Sequence, residues 1–202
     1  MSNIGNAKLL GGIGAILSLI GWVVPSVGPI VGIVGLIMIF VAIKYISDES
    51  KDKSIFDNYL YSFLFTIIAI VAAFAIVTFA VLTTIDIFNI QEVAQNITDP
   101  ASFMEVFGAA LAGCLLALII GWILMILGAI FLRKSYNNIA EKTQVDIFKT
   151  TGLVYFIGAI TLIILVGILI LFIAKIMEII AFFSLPDELP KETKDITADT
   201  IK

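Results

Sequence analysis

The stretch Leu9-Leu-Gly-Gly-Ile-Gly-Ala-Ile-Leu-Ser-Leu-Ile-Gly21-Trp-Val-Val-Pro25-Ser-Val-Gly28-Pro29 opens an apolar run that reaches Ile43 without one charged residue. As a single helix rising 1.5 Å per residue, residues 9–43 would extend about 52 Å, far beyond a bilayer core of about 30 Å. The run must therefore turn back on itself. Pro25 and Pro29 lack a backbone N–H and disfavour helix in the residues before them, so the turn falls there. The reading predicts two short helices, 9–24 and 29–46, joined in a tight hairpin.

Three longer apolar runs follow, each preceded by polar sequence. Residues 59–82 and 106–132 carry no charge and are long enough to cross a bilayer with some tilt. The last run, 152–185, exceeds one perpendicular crossing, so a span is expected at 152–174 with a continuation to 185 along the interface. Residues 185–202 are polar, acid-rich and interrupted by proline, and read as a mobile tail outside a membrane domain of residues 1–184. The expected fold class is thus all-α, a polytopic bundle of about five spans. Lys8 before an apolar stretch has the outline of a signal peptide, but no small-x-small cleavage site follows and a second apolar helix does.

Composition supports the same class. Of 202 residues, 60% are hydrophobic and 14% charged, against about 45–50% and 25% in soluble domains. So large an apolar surplus has to face lipid. A net charge of −4 without a clustered basic face excludes nucleic acid as a partner. The lone Cys114 cannot form an internal disulfide, and with no histidine neither a zinc site nor the usual general base is available. No cofactor, metal or catalytic set is expected, and the protein is not expected to be an enzyme.

Lysine and arginine in short loops set orientation. With a cytoplasmic N-terminus, the inner set is Lys8, Lys44, Lys51, Lys53, Arg133, Lys134, Lys142 and Lys149, whereas residues 83–105 contain four acids and no base. Five crossings of the cell membrane would place the C-terminal tail outside. Ile39-Phe-Val-Ala-Ile-Lys-Tyr45 and Ile130-Phe-Leu-Arg-Lys-Ser-Tyr136 each lead through a charged loop to a second Ile-Phe pair, which outlines two similar helix-loop-helix units. Ser54-Ile-Phe-Asp57 and Thr143-Gln-Val-Asp146 read as capping boxes at the helix starts.

Gly11, Gly14, Ser18, Gly21, Gly28, Gly32 and Gly35 recur at spacings of three and four, or seven across the turn, and form a nearly side-chain-free helix face. In lipid such a face serves close helix packing. Only Lys175 and Glu178 interrupt an apolar run, and their spacing permits an ion pair, expected at the interface near the outer end of the last span, where lysine snorkels. Asn96-Ile-Thr98 matches the glycosylation sequon in the expected outer loop. Hydroxyls such as Thr66 and Thr161 are expected to bond their own helix backbone.

Lys8-Leu-Leu-Gly-Gly-Ile-Gly14, the proline-glycine hairpin, the serine-containing loop before Ile55-Phe56, the Thr143…Phe148…Gly152 segment and Ala181-Phe-Phe-Ser184 together resemble an archaeal membrane protein family known as domain of unknown function nine-nine-six. The resemblance covers about residues 7–184 and departs at Gln144, where glycine is expected. It implies a membrane location and a helix count, and no chemistry. The function expected is a structural or accessory membrane component acting by helix packing, in contact with the lipid bilayer and with a second copy or a membrane-protein partner. The alternative is a small channel or transporter for a small solute.

Overall fold

The computed structural model describes residues 3–24, 26, 28–84 and 100–190. Among them are six α-helices, one 3-10 turn and no strand, the all-α class expected. The helices are α1 (Asn3–Val23), α2 (Gly28–Glu49), α3 (Lys53–Thr84), α4 (Pro100–Thr143), α5 (Asp146–Thr161) and α6 (Val166–Phe183), with the 3-10 turn Leu162–Ile164 between the last two. Each of the six contains a segment long and apolar enough to cross a membrane. Such a set is consistent with a multi-pass membrane protein.

Where about five spans are expected, the described residues contain six helices. Residues 152–185 form no single span with an extension, because the chain reverses at Leu165, whose backbone is left-handed at φ 63°. The reversal closes its own hydrogen bonds. Leu165 N–H donates to the Leu162 carbonyl at 2.9 Å and Ile168 N–H to the Leu165 carbonyl at 3.1 Å. A left-handed non-glycine residue costs about 1–2 kcal/mol, and close packing of α5 on α6 offsets it. A Cβ added at Gly158 would lie 2.8 Å from Leu171 Cδ2, and one at Gly167 would overlap the Gly158 carbonyl oxygen.

The start of α1 and the segment after α6 meet at one end of the bundle. Lys8 Nζ lies 3.7 Å from Asp187 Oδ1, and Gly11 and Gly12 pack on Phe182 and Phe183. The packed unit also passes the expected boundary at 184: Leu185 is 1% exposed, joined to the core formed by Ile4, Ile43, Ile46, Ile55, Ile139, Phe148 and Phe182. Residues 191–202 and Asn96 lie outside the described residues.

At this end the two charged loops meet. Ser135 Oγ donates to the Ile55 carbonyl at 2.7 Å and Asn138 Nδ2 to Ser54 Oγ at 2.7 Å. Both loops turn through a left-handed residue, Lys51 at φ 54° and Gln144 at φ 58°. A left-handed site favours glycine, which gives the physical reason for glycine in place of Gln144 in the pattern above. The capping boxes are corrected: Asp52 Oδ1 accepts from Ser54 N–H and Oγ, Thr143 Oγ1 bonds the Ile139 carbonyl inside α4, and α5 begins at Val145 without a side-chain cap.

The helices differ in reach. α3 and α4 run side by side, Gly128 facing the Ser62 carbonyl and Gly121 facing Ala73. Trp122 Nε1–H donates to the Ala159 carbonyl at 2.9 Å, so the α5–α6 tip lies close to the level of Gly121. The α1–α2 tip ends beside Ile70, which lies at that same height on α3. Beyond it residues 100–121 of α4 continue for about 31 Å in company with the end of α3. Two helical hairpins thus flank one half of a longer helix pair.

Candidate functional site

α6 presents Lys175 and Glu178 on one face, and Nζ lies 2.7 Å from Oε2. Tyr155 of α5 donates its hydroxyl to the same oxygen at 2.9 Å, and Tyr136 of α4 donates to Oε1 in a short hydrogen bond. One carboxylate therefore accepts three donors from three helices. Such charge-assisted bonds are stronger than neutral ones and fix the geometry of the bundle around them. The Tyr136 ring packs edge-on against Phe148 and Phe148 against Phe182, with centroids 5.5 and 5.2 Å apart. Lys175 Nζ also sits 5.8 Å from the centre of the Tyr155 ring.

The pair expected from the sequence is formed, but its setting is corrected. Lys175 is 9% exposed and Glu178 2%, so the lysine does not snorkel outward. The reversal at Leu165 also carries the pair back toward the end where α1 begins, since Glu178 bonds Tyr136, one turn past Arg133 on α4. Gly152 packs on Arg133 at the same height.

Above the cluster lies a cavity of about 560 Å³, within the range of small-molecule sites. Lys175, Glu178, Tyr59 and Tyr155 form its polar floor, and Ser62 and Thr66 line one side. Met125, Leu132 and Leu171 form the back wall. At the front, Ile33 and Leu36 of α2 and Phe63, Ile67 and Ile70 of α3 line the cavity while remaining exposed. The mouth therefore opens sideways between α2 and α3 along apolar helix faces. Tyr59 is 8% exposed, and its hydroxyl has no hydrogen-bond partner among the described residues.

The small-residue face divides by function. Gly14, Ser18, Gly21, Gly28 and Gly35 lie where α1 meets α2: a Cβ at Gly14 would stand 2.7 Å from the Gly35 carbonyl oxygen, and one at Gly21 would stand 2.6 Å from Gly32 Cα. Gly11 instead receives the Phe182 ring of α6. Gly32 is the loosest, its added Cβ meeting only Gly21 Cα at 3.5 Å, and it borders the cavity. Thr66 and Thr161 bond the Ser62 and Ile157 carbonyls at 2.9 and 2.8 Å, as expected for hydroxyls in membrane helices. Cys114 is partly exposed on α4 and joins neither cluster nor cavity.

Residues 31–176, which include Gly32, Gly35, most of the cavity lining and Lys175, match the family described as "Protein of unknown function (DUF996)". The chain belongs to this family. The chain is also 38% identical over 186 residues to the uncharacterized protein MJ1644 of Methanocaldococcus jannaschii, an alignment covering 92% of this chain and 95% of that one. No solved structure matches. The family description assigns no activity, so the chemistry of the DUF996 site has to be read from its residues.

Sequence reasoning missed the three tyrosines. Tyr136 stood in plain view as the last residue of the second Ile-Phe repeat, and Tyr59 and Tyr155 sit near the starts of apolar runs. Their hydroxyls are the signal. A tyrosine inside apolar sequence needs a partner for its O–H, and Glu178 is the acceptor that two of them find.

Proposed function

We propose that the protein binds a small molecule drawn from the bilayer, in the manner of a carrier or transporter, and performs no enzymatic chemistry. The observation that supports this reading is the buried Lys175–Glu178 pair, with its tyrosines, opening onto a laterally accessible cavity. Ionised groups inside apolar protein cost several kcal/mol each, and apolar residues often replace them without loss of stability. Charges in membrane-spanning segments mark pathways and binding sites by default. Glu178, already accepting three hydrogen bonds, has little capacity left as a catalytic base. The accessory reading rests on the glycine face together with the scarcity of charge in the spans; that face packs within the chain, between α1 and α2 and on Phe182, which favours the binding reading over it.

The reading carries a topology in the cell membrane. Both termini and both charged loops are cytoplasmic, because six helices add Lys191, Lys194 and Lys202 to the eight inner bases and leave the acidic stretch 83–105 without one. Measured from Gly152, level with Arg133, the α5–α6 hairpin rises only about 20 Å to Leu165. It enters a core of about 30 Å without crossing it. The hydrogen bonds closed within its tip make that position tolerable in hydrocarbon.

Two measurements test these statements. Protein extracted in mild detergent, then denatured, should release a stoichiometric small molecule detectable by mass spectrometry, and Gly32→Leu should lose it. Wild-type protein that releases none, and that supports no flux across a broad solute panel in liposomes, defeats the binding reading. For topology, Cys114 is replaced and single cysteines are placed at Lys51, Ala94 and Glu188. An impermeant maleimide on intact cells should label position 94 alone, and labelling at 188 would refute the shared side of the two termini.

A further inference from the structure

Resting on the binding reading above, the geometry points to a long-chain alcohol as the ligand class: an apolar chain ending in an uncharged hydroxyl. The mouth between α2 and α3 faces the region that hydrocarbon occupies around apolar helices, so the ligand arrives from the bilayer. Along α3 the cavity runs from Tyr59 to Ile70, about 16 Å of helix. Its floor is polar and lies beside the basic end marked by Arg133, while its upper wall is aliphatic and glycine-lined. An amphiphile in the adjacent leaflet has the same gradient, head toward the basic end and chain toward the membrane centre.

The hydrogen-bond inventory selects the head. Glu178 is engaged by Tyr136, Tyr155 and Lys175. Lys175 makes that one hydrogen bond of the three its ammonium can donate, and the Tyr59 hydroxyl has no partner among the described residues although it is nine-tenths buried at the cavity floor. The unspent groups are chiefly donors, so the ligand must bring an acceptor oxygen. Charge then narrows the choice. Lys175 is already neutralised by Glu178, and no second cation is found among the described lining residues. A carboxylate or phosphate head would leave one buried negative charge uncompensated. A hydroxyl accepts from Tyr59 and Lys175 without that penalty and can donate onward to Ser62, whose residue lines the same side.

The test uses three photoreactive diazirine probes of equal chain length, an alcohol, a carboxylic acid and an alkane, with the full chain in phosphatidylcholine vesicles. Labelled residues are mapped by peptide mass spectrometry. The alcohol should label Ile33, Leu36, Phe63 and Ile67 above the lipid-facing Phe74, with competition by unlabelled decanol. Tyr59→Phe, which deletes one hydroxyl and keeps the ring, should cut alcohol labelling about fivefold, the value of one net hydrogen bond, and leave alkane labelling unchanged. Gly32→Leu should abolish cavity labelling by every probe. Preference for the acid or the alkane overturns the ligand class and leaves the binding reading standing. Equal loss of alcohol and alkane labelling in Tyr59→Phe also overturns the class, because it marks a packing role for Tyr59. No enrichment with any probe overturns both.

Discussion

The two short hairpins of this bundle reach a similar height by opposite means. In α1–α2 the side chains are missing where the helices touch, and Gly14, Gly21, Gly28 and Gly35 bring backbone against backbone. Pro25 falls between the two helices and Pro29 in the first turn of α2. In α5–α6 the turn is Leu162-Ile-Ile-Leu165, without proline, glycine or a polar residue, and Leu165 is 71% exposed at its corner. That hairpin is tied instead through Glu178 to tyrosines on α4 and α5. One hairpin is specified by what its residues lack, the other by a polar contact near its base.

The comparison breaks first at Glu178. Glu178→Ala strands Lys175 as an uncompensated buried charge and leaves two tyrosine hydroxyls without their acceptor. The expected loss is about 4 kcal/mol, read as unfolding free energy in detergent. The double variant Lys175→Met/Glu178→Met should recover most of it, since an apolar pair carries no desolvation cost. A double variant as unstable as the single one would show that the charges themselves hold α6 in place.

Gly21→Leu strikes the other hairpin. Its Cβ meets the α2 backbone at 2.6 Å with no flexible side chain to yield. A loss of about 3 kcal/mol is expected, with the Glu178 cluster intact by tyrosine spectroscopy. A smaller change has the reverse sign. Leu165→Gly removes a left-handed cost of about 1–2 kcal/mol and adds about 0.5–1 kcal/mol of glycine entropy. The net expectation is a gain of roughly 0.5 kcal/mol. Unchanged or lower stability would mean that the exposed Leu165 side chain is itself needed against lipid. Least affected is Gly32→Leu, whose added Cβ finds only Gly21 Cα at 3.5 Å. Stability should stay within about 0.5 kcal/mol while the cavity is lost, which separates occupancy from folding.

This contrast also explains what the sequence made legible. Proline and glycine announce a turn because they change the backbone menu locally, so the first hairpin could be placed from residues 21–29 alone. The second reversal leaves no such mark. Its left-handed corner falls on leucine, in a run where every residue from Leu162 to Val166 is apolar, and hydropathy is blind to direction. Excess length is the remaining trace, and an interfacial continuation accounts for it as readily as a reversal does. The surroundings of Lys175 and Glu178 depend on which way α6 runs, so they are no more legible than the reversal itself. The ion pair itself was visible because i, i+3 spacing is a local property. Its tyrosine partners come from helices 23 and 42 residues away, a relation only the fold supplies.

The apolar corner at Leu165 has a consequence for biogenesis. In the proposed topology a hairpin with an apolar, internally hydrogen-bonded tip needs no hydrophilic segment carried through lipid, so α5 and α6 would slide into the bilayer as one unit. In the proposed topology the acidic stretch 83–105 has to be transported across, and its lack of lysine and arginine removes the charges that resist such passage. Insertion of the last third of the chain should then be insensitive to collapse of the membrane potential, a difference that protease protection during cell-free translation can read.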